Sequence, residues 1–246
     1  MAPVATPASV TPEVISSLKA SLSQPSYAPA TLIDVLSHAA ERYPSHELSF
    51  ITSSAHDSSI QTKTFSSFNQ SVRNLARALA ELNKPVGSII LVYLTEHEDN
   101  MAAVWACLLA GYVPCLQPAL SAQQAHKEAH IAHITNVTRS VTWLTNEAGA
   151  DQVRAIPGLE IHLLSELRIA AEGYSVSAGW VARNAQPDDE AIFFLTSGSS
   201  GFSKVVVHTH RTILAACSSK GIAYGLTSKS NILNCESLLV LAILPI

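Results

Sequence analysis

A chain of 246 residues is long enough for one large or two modest domains with a sizeable buried core. Hydrophobic residues make up 48% and charged residues only 14%, far from the composition that keeps chains disordered. The net charge of −4 gives no basic field for a nucleic acid or an anionic bilayer, so neither is expected as a partner.

The N-terminus, MAPVATPASVTPEV, lacks the basic start and continuous apolar stretch of a secretory signal. No run approaches the roughly 18 apolar residues of a spanning helix. Four cysteines, Cys107, Cys115, Cys217 and Cys235, are widely spaced with no Cys-x-x-Cys pair, which reads as reduced thiols rather than a disulfide framework or a zinc knuckle. A cytoplasmic location is the expectation. Five of the twelve prolines precede residue 30, so residues 1–30 are expected to be a disordered Pro/Ser/Ala-rich leader, with room for a short helix over 13–22.

From Thr31, a suitable N-cap, Leu32, Val35, Leu36 and Ala39 recur at helical spacing until Pro44. A brief strand over 48–52 and a polar loop over 53–62 follow. The segment after Thr64 places Phe68, Val72, Leu75, Ala76, Leu79 and Leu82 on one helical face. Residues 88–94 (SIILVYL) form a near-continuous β-type run suited to a strand covered on both faces. A helix over 99–110 is apolar almost all round and ends at Gly111. Further strands are expected at 140–144, 160–164, 191–195 and 204–208, with a helix over 121–136 and a poorly patterned surface connection over 173–189. Helix-separated strands of this kind predict an α/β fold with a mostly parallel sheet and flanking helices.

The most informative stretch is Phe193 to Lys204, FFLTSGSSGFSK, in which a core-type strand runs into a hydroxyl-rich glycine loop and then a lysine. Gly198 and Gly201 let backbone amides approach an anion with no Cβ in the way. Thr196, Ser197, Ser199 and Ser200 supply hydroxyl donors, and Lys204 supplies a positive charge. A flexible Ser/Gly turn explains the pattern less well, because it leaves the lysine and the preceding core strand unaccounted for. The spacing fails both the Walker A loop and the G-x-G-x-x-G fingerprint.

Here the chain resembles the adenylate-forming (AMP-binding) superfamily, which contains acyl-CoA synthetases and the adenylation domains of nonribosomal peptide synthetases. TSGSSGFSK is similar to its phosphate-binding element T-S-G-[ST]-T-G-x-P-K, with Ser200 for the commoner Thr and Ser203 for the commoner Pro. Thr64 to Phe68 resembles the early T-Y-x-E-L element without its Glu, Trp105 to Pro114 resembles the second core element, and Val207 to His210 resembles the strand end after the loop. Within the superfamily, the combination EHEDN, LLAGYVPCLQPAL and LTSGSSG is most similar to fungal adenylate-forming reductases and related synthetase-like proteins.

The resemblance implies a partial large domain over 31–234, and an ATP- and Mg²⁺-dependent ligase that turns a carboxylic acid into an acyl-adenylate and passes it to a thiol. It also implies that Thr196, Ser197, Gly198, Ser199, Ser200, Gly201 and Lys204 hold the phosphates. The superfamily's adenine, ribose, Mg²⁺ and catalytic-lysine motifs come later than Ile246, so no complete catalytic set and no metal site is expected in this chain. Residues 235–246 read as an aberrant apolar tail of the kind a translated intron gives. The alternative is a truncated, inactive paralogue that binds a nucleotide or a partner.

Three weaker constellations remain. His126, His130 and His133 lie near one side of a helix, but the spacing is not H-E-x-x-H, and a solvated His/Lys/Glu face is the plainer reading. Glu96, Glu98 and Asp99 follow a strand end, where acids either contact a ligand or complement a helix dipole, and the dipole is favoured. His208 and His210 are expected to alternate on a strand, and Trp105 and Tyr112 to serve packing.

Overall fold

The computed structural model describes residues 29–53, 58–174, 180–196, 203–227 and 230. The Pro-rich leader apart from its last two residues, the helix over 13–22, loop residues Ser197, Gly198, Ser199, Ser200 and Gly201, and the tail over 235–246 with Cys235 lie outside them.

In chain order the elements are α1 (Leu32–Arg42), β1 (Glu47–Ser53), β2 (Ser58–Thr64), α2 (Phe65–Ala80), β3 (Ile89–Tyr93), α3 (His97–Ala110), β4 (Val113–Leu116) and α4 (Gln124–Thr138). They continue with β5 (Thr142–Thr145), α5 (Glu147–Val153), β6 (Glu160–Leu163), α6 (Leu164–Glu172), β7 (Glu190–Thr196), β8 (Lys204–Thr209) and α7 (His210–Ala223). Strands β6-β5-β3-β4-β7-β8 form one sheet in that order, parallel except for the antiparallel β7–β8 pair, while β1 and β2 form a separate antiparallel hairpin.

Period-two alternation along the central strands feeds two cores. Ile90, Val92, Leu144 and Ile192 point into one, shared with Phe68, Val72, Leu79, Leu109 and Ile213 of the helices. Leu91, Tyr93, Trp143 and Phe193 point into the other, closed by Ile131 and Ile134 of α4 and Val153 of α5. The sheet is therefore covered on both faces, and the near-continuous apolar run over 88–94 is the sequence signature of that position.

Local signals hold where their chemistry is strong. Thr31 caps α1 through a reciprocal capping box with Asp34. All nine residues from Ala102 to Ala110 are buried, as an all-round apolar helix requires. Gly111 ends it at φ 83°, and a Cβ there would also lie 2.7 Å from Arg183 Cγ.

Three expectations need correction. The polar loop over 53–62 contains most of β2, which pairs with β1 in the register Ile51↔Ile60; Ile60 is exposed, so β2 shows no apolar alternation to betray it, whereas Leu48 and Phe50 of β1 pack against the core. The residues after Gly111, where no strand is expected, run directly into β4. That strand has only four residues and carries Pro114, both of which argue against a strand in sequence. His210 is not on a strand: it opens α7, with Thr209 as N-cap. The connection over 173–189 is anchored where it is described. Arg77 lies 4.1 Å from the Tyr174 ring centroid, Arg73 lies 5.9 Å from that of Trp180, and the Arg183 amide donates to the Leu109 carbonyl at 3.0 Å.

Candidate functional site

Strand β7 leaves the core at Thr196 and β8 returns at Lys204, and these two residues face each other in the antiparallel register. Both of these residues therefore lie at the carboxyl edge of the parallel strands, where α/β sheets take ligands. Thr196 and Lys204 are both exposed. Among the described residues the Lys204 ammonium has no carboxylate partner, leaving a cation at the mouth of a hydroxyl-rich loop. The Thr196 hydroxyl approaches the Lys204 carbonyl at 3.5 Å.

The hairpin sits on α4. Ile131 and Ile134 of that helix are fully buried against the sheet face that carries Cys115 and Phe193, with Leu195 and Val205 packed alongside. At the edge of this contact His133 Nε2 lies 2.9 Å from the Ser203 carbonyl. The contact spans 70 positions, and no local pattern announces it. Its neighbour His130 is held below the usual imidazole range, first by burial and then by the adjacent His133. Among the described residues no group of three His, Cys, Asp or Glu side chains is placed to hold a metal ion.

The acids after β3 are occupied by structure. Glu98 pairs with Lys63 of β2, and Asp99 accepts from Arg168 of α6 at 2.7 Å, so both tie the first turn of α3 to its neighbours. Glu96 is the N-cap position, without a side-chain cap bond. Beside these pairs a cavity of about 240 Å³ opens among α2, α3 and α6, lined by Phe68, Leu75 and Ala102 as well as Lys63, Glu98 and Arg168. Neither Thr196 nor Lys204 borders it.

The remaining candidates have packing roles. Trp105 and Tyr112 are buried, and the Tyr112 hydroxyl accepts from the Lys84 amide at 3.2 Å. His208, on β8, meets Phe194 edge to face with ring centroids 5.5 Å apart. His210 is buried, and its Nδ1 accepts from the Leu32 amide at 3.1 Å, joining α7 to the start of α1. Cys107, Cys115 and Cys217 are free; burial pushes the Cys115 thiol up to about 12 and the other two upward as well, so none is poised as a thiolate nucleophile.

A mostly parallel α/β sheet whose β7–β8 pair brackets a hydroxyl-rich glycine segment is the arrangement expected of an adenylate-forming domain. The chain matches the AMP-binding enzyme family over residues 36–245 and belongs to it. It is 81% identical over 236 residues to atromentin synthetase invA1 of Paxillus involutus, a match covering 95% of this chain and 25% of that protein. Inactive atromentin synthetase invA6 of the same fungus is 63% identical over 235 residues, covering 95% of this chain and 24% of its own length. The chain thus spans about a quarter of the length of these relatives. Among solved structures, the adenylation domain of a keto acid-selecting NRPS module bound to keto acyl adenylate superposes with a TM-score of 0.71 at 23% identity, over 86% of this chain and 39% of that one. That likeness establishes the fold. No described helix is long and apolar enough to cross a membrane.

Proposed function

We propose that this chain is the phosphate-holding part of an ATP-dependent ligase that activates a carboxylic acid, of the atromentin synthetase type. The observation that carries the reading is the pairing of Thr196 with Lys204 across the mouth of the loop, with the lysine exposed and free of any described carboxylate. In the reaction, a carboxylate oxygen attacks the α-phosphorus of ATP and the bond to the bridging oxygen of the β-phosphate breaks. That oxygen leaves with the electron pair as pyrophosphate, and an acyl-adenylate remains for transfer to a thiol.

The loop's contribution is electrostatic. Hydroxyl and amide donors from Thr196, Ser197, Gly198, Ser199, Ser200 and Gly201 and the charge of Lys204 receive the β- and γ-phosphates as negative charge builds on the leaving group. The described residues fit a polyphosphate, but they supply no carboxylate cluster for Mg²⁺. The partners of the complete enzyme are an acid substrate and a thiol acceptor, with a cytoplasmic setting.

Titration of ATP or pyrophosphate into the chain tests the reading. Lys204→Ala removes a charge-assisted contact of about 1.5–3 kcal/mol, so binding is expected to weaken roughly 10- to 150-fold. Equal affinity in wild type and variant would refute the assignment.

The second reading, a non-catalytic nucleotide- or partner-binding chain, is favoured by one observation. A relative named inactive is 63% identical across nearly this whole stretch, so likeness over the stretch is compatible with a non-catalytic chain. Acid-dependent pyrophosphate–ATP exchange separates the two.

A further inference from the structure

We infer that His133 is a positioning residue for the phosphate loop, fixing the peptide from which Lys204 projects. The inference rests on the proposed loop function and extends it to a residue on a different element. A carbonyl oxygen has no proton to give, so in the 2.9 Å contact the His133 Nε2 donates and the Ser203 oxygen accepts. Ser203 C=O and Lys204 N–H belong to one planar peptide unit, so holding the oxygen fixes the plane in which the Lys204 Cα begins. The next unit begins at the Lys204 carbonyl, which the Thr196 hydroxyl approaches at 3.5 Å. The peptide groups on both sides of the Lys204 Cα are thus engaged, one from β7 across the loop mouth and one from α4.

The donor stands on a rigid base. Ile134, next to His133, is fully buried, and Ile131 one turn earlier is 1% exposed. Trp143 and Phe193 of the sheet share their core. A side chain on such a helix transmits a fixed position, whereas Lys204 is exposed and has no described side-chain partner to orient it. The three-histidine face of α4 thereby acquires one functional member with no metal involved.

The test uses the 246-residue chain, inorganic pyrophosphate with Mg²⁺ as probe, and the variants His133→Phe, His133→Gln and Lys204→Ala. His133→Phe keeps the bulk and removes the donor. It is expected to weaken pyrophosphate binding about three- to tenfold and to accelerate amide exchange over residues 204–206, with the melting temperature little changed. His133→Gln, whose side-chain amide reaches to the same place, is expected to restore both. Lys204→Ala is expected to weaken binding without altering exchange.

Wild-type binding and exchange in His133→Phe, alongside weakened binding in Lys204→Ala, would overturn the inference and leave the loop reading intact. Wild-type affinity in Lys204→Ala would overturn the loop reading and, with it, the anchor's role. Should His133→Phe fail to fold, the ring ¹⁵N shifts of wild-type His133 decide: protonated Nε2 supports the anchor, and a neutral Nδ1–H tautomer removes it.

Discussion

Gly149→Ala is a sharp test of how the carboxyl ends of β3 and β5 are locked together. Gly149 lies within α5, where alanine ordinarily stabilises by about 0.5–1 kcal/mol over glycine. Here a Cβ would come within 2.1 Å of Thr145 Oγ1 and 2.9 Å of Tyr93 Cδ1. Both neighbours are committed. The fully buried Thr145 hydroxyl donates to the Tyr93 carbonyl at 2.6 Å, and the Tyr93 hydroxyl donates to Gln152 at 3.2 Å. Rotating Thr145 away leaves a buried carbonyl unpaired at about 1–3 kcal/mol, and moving the ring or helix adds overpacking strain of about 1–3 kcal/mol. The net expectation is a loss of about 2–4 kcal/mol, or roughly 5–15 °C in melting temperature for a chain of this size. Thermal denaturation followed by circular dichroism measures it. In a Thr145→Ala background the nearest obstacle is gone, so the same substitution should cost about 1–2 kcal/mol less. An unchanged or raised melting temperature, or an identical cost in both backgrounds, would refute the reasoning.

Two further predictions concern pH. Burial holds the His210 imidazole below its ordinary value of about 6.5, with Asp189 and Asp34 pulling the other way, and Nδ1 must stay unprotonated to accept from Leu32. The unfolded chain therefore binds the proton first, and stability is expected to fall as pH drops below about 6.5; His210→Gln should flatten that part of a urea-denaturation profile, and an unaltered profile would contradict it. Burial alone would raise the Glu160 carboxyl, but Lys84, His162 and Thr142 outweigh it and bring it down to about 2. Its stabilising share is present above the ordinary carboxylate range and is lost between about pH 4.5 and 2, a window that Lys84→Met should narrow, modestly because the pair is partly exposed.

Part of the fold was legible, where an element states its own burial. The run over 88–94 reads as a strand covered on both faces, the Thr31 cap marks the start of α1, and Gly111 marks the end of α3. What stayed hidden is what local pattern cannot encode. β2 has no apolar alternation, its Ile60 being exposed, and its partner β1 is what makes it a strand. His210 follows a β-type run closely enough to pass as its continuation, yet Thr209 and Thr212 form a capping box that turns the chain into α7. At the site, Thr196 and Lys204 were legible as the ends of a glycine loop, because residue type and spacing within one short segment carry the chemistry. His133 was visible only as one of three histidines on a helix, since its partner lies 70 positions away.

The way the hairpin joins the sheet explains why an anchor from α4 has work to do. β4 is bonded to β3, with the Val113 and Gln117 amides donating to the Ser88 and Val92 carbonyls at 3.0 and 2.9 Å. Alternation then turns the Pro114 nitrogen toward β7, where it has no hydrogen to give. The β4–β7 ladder is correspondingly reduced to the single register pair Cys115↔Phe193, while β7 and β8 are paired along their length. The β7–β8 hairpin is therefore held to the rest of the sheet chiefly by side chains, Ile192 packing into one core and Phe193 into the other. Side-chain packing resists separation well but is less directional than a ladder of hydrogen bonds. On the proposed reading, in which Lys204 meets a phosphate, the loop gains from a directional contact at its exit, and the His133 bond to Ser203 supplies one from α4.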